Sequence, residues 1–75
     1  MNVESFIEKL TNVFEDTDIS TLSPETAFRD IEEWDSLTAL SLIAMVDEEY
    51  SLKLTGDDIK SATTLNDIFE IIKNK

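Results

Sequence analysis

Glu33-Trp34-Asp35-Ser36-Leu37, near the middle of the chain, is the stretch from which the rest can be read. Its polar pair, Asp35-Ser36, separates a long irregular segment from the most apolar helical pattern in the sequence, Ser36 to Tyr50. Asp35 suits an N-cap, a residue whose side chain accepts a backbone N–H of the first helical turn. Ser36 then stands at the mouth of the helix. There the N–H groups lack intrahelical partners and the dipole favours an anion such as phosphate. Ser36 is therefore expected to be a site of modification that the rest of the chain presents.

Within this second helix the apolar residues divide at about 100° per residue into two groups. Ala39, Leu42, Ile43, Val46 and Tyr50 make one stripe, expected to face the core. Leu37, Leu40 and Ala44 make another, bordered by Ser36, Ser41, Asp47 and Glu48. A surface helix needs only one apolar face, so the second strip is a candidate contact surface. The alternative is a central helix buried on most sides.

On the amino-terminal side, Asn2 can cap a first helix from Val3 to Glu15, with Val3, Phe6, Ile7, Leu10, Val13 and Phe14 as its stripe. Asp16 to Asp35 is a long connection, and such connections are uncommon and often functional. Ser23-Pro24-Glu25 carries a helix-start signal, which predicts at most one helical turn there. Ile19, Leu22, Phe28, Ile31 and Trp34 are too many apolar residues for a solvated linker and are expected to pin it to the core. Trp34 is read as a loop anchor first and a partner contact second. On the carboxyl side, Thr55 with Asp58 and Thr64 with Asp67 are capping signals. The first predicts a short helix from Gly56 to Ser61, with Ile59 and Ala62 facing inward. The second starts a last helix with Leu65, Ile68, Phe69, Ile71 and Ile72 as its stripe. The expected fold is all-α: a single domain over residues 1–75, a small four-helix bundle with a long loop between its first two helices and a short third helix.

Composition narrows the function. Hydrophobic residues make up 41% of the 75, enough to fold, and one glycine and one proline argue against an all-β fold. Seventeen acidic residues against six basic ones give a net charge of −11, which disfavours nucleic acid and anionic membranes and favours basic protein patches. No apolar run approaches the roughly 20 residues of a membrane span, and the amino terminus lacks a signal-peptide core. A cytoplasmic monomer is the simplest expectation.

Catalysis has little to work with. There is no histidine to serve as a base for Ser36, and no glycine-flanked nucleophile elbow. Carboxylate pairs such as Asp57-Asp58 and Glu48-Glu49 read as solvated helix faces. Without cysteine no thiolate metal site exists, and Thr55-Gly56-Asp57-Asp58 lacks the ligand spacing of a calcium loop. No metal site and no enzymatic activity are expected.

Asp35-Ser36-Leu37, together with Val46-Asp47-Glu48-Glu49-Tyr50, Leu52-Lys53-Leu54 and Thr63-Thr64-Leu65, resembles the acyl carrier protein family over nearly the whole chain. The resemblance implies that Ser36 carries 4′-phosphopantetheine, transferred from coenzyme A by a phosphopantetheinyl transferase that brings its own magnesium and activation. The thiol belongs to that group, which suits a chain without cysteine. Asp35 would cap the helix and help to position the transferase's metal, and Leu37 would lie beside the arm and touch partners. Acyl-loading, condensing and acyl-transfer enzymes are the implied partners, docking on Leu37, Leu40, Ser41, Ala44, Asp47 and Glu48. An acyl pocket between the second and third helices would involve Ile43, Val46, Ile59 and Ala62, which also read as ordinary core. Housekeeping family members carry further acidic residues just after the serine. Thr38 and Ser41 hold the matching places here, so a specialised carrier for fatty acid, polyketide or related biosynthesis is expected. An aminoacyl or peptidyl carrier is the alternative within the class. An acidic protein-interaction module without a prosthetic group is the alternative outside it.

Overall fold

The helices begin where local capping chemistry starts them. In the computed structural model, which describes residues 2–75, the helices are α1 (Val3–Lys9), α2 (Ser36–Tyr50), α3 (Gly56–Ser61) and α4 (Leu65–Lys73). Asn2 caps α1 by accepting the Ser5 N–H at 2.8 Å, and Asp35 caps α2 by accepting the Thr38 N–H at 2.8 Å. Thr55–Asp58 and Thr64–Asp67 close reciprocal capping boxes at the starts of α3 and α4. The result is the expected all-α four-helix bundle with a short third helix.

One expectation for the first half of the chain does not hold. The first helix does not continue to Glu15: it stops at Lys9 and tightens into a 3₁₀ turn over Leu10–Asn12. Thr11 turns its hydroxyl back to the Glu8 carbonyl at 2.9 Å, the local bonding by which threonine competes with a helical ladder. Val13 and Phe14 still reach the core, but from the turn that follows. At Ser23-Pro24, where at most one helical turn is expected, no helix forms. Pro24 sits in a reverse turn closed by the Thr26 N–H on the Ser23 carbonyl at 3.1 Å, a place for which its fixed φ is preset. The connection instead carries two 3₁₀ turns, Ile19–Thr21 and Phe28–Asp30.

The long connection is built into the bundle. Phe28 is fully buried, and Trp34 stacks edge-on against it at 4.8 Å between ring centroids, with Phe14 at 6.1 Å on another side. Polar ties add direction to this anchoring. Arg29, the sole arginine of the chain, donates to the Ala62 and Ile59 carbonyls at 2.7 Å each, reinforcing the end of α3, where the Ile59 carbonyl also accepts the Ala62 N–H at 3.2 Å. The carbonyls of Thr26 and Pro24 accept the first N–H groups of α4, from Leu65 at 3.0 Å and Asn66 at 2.8 Å. The connection thus closes one end of α3 and one end of α4. Phe6, Leu10, Leu42, Val46, Leu65, Ile68 and Ile72 form the centre of the core. Among the described residues, no helix is long and apolar enough to cross a membrane.

Candidate functional site

Asp35 adopts an extended backbone, φ −157° and ψ −173°, and the chain turns into α2 at Ser36. Ser36 is therefore the first residue of a 15-residue helix, and it is exposed. The N–H groups of Ser36 and Leu37 find no carbonyl partner among the described residues, whereas the equivalent groups of α4 are occupied by the long connection. Asp35 sits beside them. Its carboxyl lies below the usual aspartate range, chiefly because the Thr38 N–H donates to it, so it is an anion at neutral pH.

Behind the exposed serine lies a hydrogen-bonded brace. Thr38 is the one buried polar residue of the described core, 8% exposed. Its hydroxyl donates to the Glu33 carbonyl at 3.0 Å while its N–H goes to Asp35. The Glu33 carboxylate in turn accepts the Asp16 N–H at 3.1 Å and the Thr17 hydroxyl at 2.7 Å. By resemblance Thr38 holds one of the places of the family's exposed acidic residues after the serine, but here it is buried. Thr38 leads the series Thr38, Leu42, Met45 and Val46, spaced i, i+4, i+7 and i+8, and these are the buried residues of α2. The buried face is therefore turned slightly from the expected stripe, with Met45 included and Ala39, Ile43 and Tyr50 at its margin. That spacing is present in the sequence, but a threonine at the head of an apolar series does not announce itself as core.

The second strip is open to solvent. Leu37 is 73% and Leu40 61% exposed, and Ser41, Ala44, Asp47 and Glu48 are exposed with them. A helix buried on most sides is thereby set aside. Large apolar side chains this exposed, one turn apart, are unusual in a small domain of such high charge. Val46, Ile59 and Ala62 are buried and Ile43 is half-buried against the same core. None of these four lines the open cleft of about 670 Å³, which lies within the long connection between Asp16–Leu22 and Thr26–Glu33.

Comparison with known proteins fits this geometry to a class. The sequence profile of the phosphopantetheine attachment site family matches residues 5–72. The chain belongs to this family. It is also similar to an acyl carrier protein of Thermosynechococcus vestitus (strain NIES-2133 / IAM M-273 / BP-1), with 27% identity over 78 residues that cover 100% of this chain and 96% of that protein. Phosphopantetheine-attachment proteins hold 4′-phosphopantetheine covalently and are carriers, not catalysts. The donor set at the head of α2 suits such a group: an exposed hydroxyl to esterify, and backbone N–H groups at the positive end of a helix to meet a phosphodiester anion.

Proposed function

We propose that this protein is an acyl carrier whose phosphopantetheine is attached to Ser36 Oγ. The observation that carries the proposal is the exposure of that hydroxyl at the first position of α2, within the stretch that matches the family. In the transfer, Ser36 Oγ forms the new bond to phosphorus, the nucleotide part of coenzyme A leaves, and the hydroxyl proton passes to a base on the transferase. With no histidine in the chain, the commonest such base is one the transferase would bring. Once in place, the group supplies a thiol that holds cargo as a thioester.

The exposed strip of α2 supports a docking role for Leu37, Leu40 and Ala44, with Ser41, Asp47 and Glu48 at its border. Few charges lie on that strip, so hydrophobic contact contributes more to partner choice than long-range steering does. This favours a specialised carrier, serving the enzymes of one fatty acid, polyketide or related pathway in the cytoplasm, over a general one. Val46, Ile59 and Ala62, with Ile43, supply the apolar surface that a cargo chain would enter.

Mass spectrometry after incubation with coenzyme A and a broad-specificity phosphopantetheinyl transferase tests the assignment. One phosphopantetheinyl mass gain is expected on the natural chain and none on Ser36→Ala. A gain that persists in Ser36→Ala overturns it. Binding to basic proteins with no modified form under any condition would favour the acidic interaction module instead.

A further inference from the structure

We infer that Thr38 is a positioning residue for the modification of Ser36, acting through Glu33. The inference rests on Ser36 being the attachment residue. Glu33 lies in a turn closed by the Trp34 N–H on the Ile31 carbonyl at 2.9 Å, Trp34 is packed against Phe28 and Phe14, and Asp35 runs extended into the helix, so the corner at Asp35-Ser36 is set by that packing together with polar contacts. The Thr38 hydroxyl grips the Glu33 carbonyl at 3.0 Å, and its N–H grips the Asp35 carboxylate at 2.8 Å. A single residue therefore holds the chain on both sides of Trp34, from inside the helix. The far end of the brace is fixed as well: the Glu33 side chain ties the same peptide to Asp16 and Thr17, just after the first helix and its 3₁₀ turn. Loss of the Thr38 hydroxyl would leave the Glu33 carbonyl unbraced and allow the Asp35-Ser36 corner to shift. Transfer to phosphorus needs the attacking oxygen in a narrow range of positions, and small displacements from remote changes reduce such rates steeply.

Thr38 is buried, so it offers no surface to the transferase. Its effect should fall on kcat and spare KM, unlike that of a docking residue. Steady-state modification with coenzyme A and a broad-specificity transferase, followed by mass spectrometry, provides the test. Thr38→Val, which keeps shape and removes the hydroxyl, should lower kcat about fivefold with KM unchanged. Thr38→Ser, which restores a hydroxyl, should recover most of the rate. Ile68→Val, a core change on another helix, should leave kcat alone. Equal rates for Thr38→Val and the natural chain would overturn the inference, as would an Ile68→Val loss of the same size, which would mark the effect as general loosening. If the natural chain itself gains no mass, the assignment of Ser36 fails, a result distinct from equal rates among modified proteins.

Discussion

Two residues of α2 that are two positions apart have opposite fates. Ser36 and Thr38 both carry hydroxyls, yet one faces solvent and the other closes a brace beneath it. Leu40, between the buried Thr38 and Leu42, has nothing over it and is 61% exposed. An exposed leucine with no packing partner can be replaced by a charge with little effect on stability, within about 0.5 kcal/mol by the usual behaviour of surface sites. Leu40→Asp should therefore keep the melting temperature while raising the KM of the transferase and of cargo-handling enzymes. Circular dichroism melts beside steady-state kinetics would check this. A variant that unfolds would mean that the strip is covered, and an unchanged KM would remove Leu40 from the docking surface.

At the scale of the element, each helix depends on a few groups at its ends. Asp67 shows this best. Its carboxylate accepts the N–H groups of Thr63 at 2.9 Å and Thr64 at 3.0 Å, and these bonds, that of Thr64 foremost, hold its carboxyl below the ordinary aspartate value of 3.8. A carboxyl whose pKa is lower in the folded chain than in the unfolded one binds fewer protons when folded. It therefore adds stability above about 3.8, and this is lost as pH falls through its lower folded value. Asp67→Ala should melt below the natural chain at pH 7. The gap should narrow as pH drops below 3.8, because the natural chain then loses the same bonds. Melting curves recorded between pH 7 and pH 2 would show this convergence, and a constant gap would assign the loss to something other than the ionised cap. The same element logic explains why a six-residue α3 persists at all: it has a capping box at one end and Arg29 at the other.

Over the whole molecule, charge is the dominant imbalance. A net charge of −11 sits on a fold with a radius of gyration of 10.9 Å, and only three ion pairs form among the described residues. Of these, Lys53–Asp47 and Lys73–Glu70 are solvent-exposed and contribute little. Self-repulsion spans distances comparable with the Debye length, about 8 Å at physiological ionic strength, so salt screens it effectively. Raising NaCl from a few millimolar to about 0.15 M should raise the melting temperature. A fall would mean that the ion pairs and helix-end charges outweigh the repulsion.

Most of what depended on neighbours three or four residues apart could be read from the chain, the early stop of the first helix at Thr11 and Glu8 excepted. The caps at Asn2, Asp35, Thr55 and Thr64, the bounds of α2 and α3, the inward Ile59 and Ala62 and the start of α4 all follow from local hydrogen bonding and helical period, which act over one turn. The docking of the long connection onto the bundle and the burial of Thr38 follow from contacts 5 to 33 residues apart, such as Thr38 with Glu33, Asp16 with Glu33 and Arg29 with Ala62. No local pattern encodes them, because a polar side chain looks the same in sequence whether its partner is water or a carbonyl across the bundle. Packing supplies that partner, and with it the corner that holds Ser36 out to solvent.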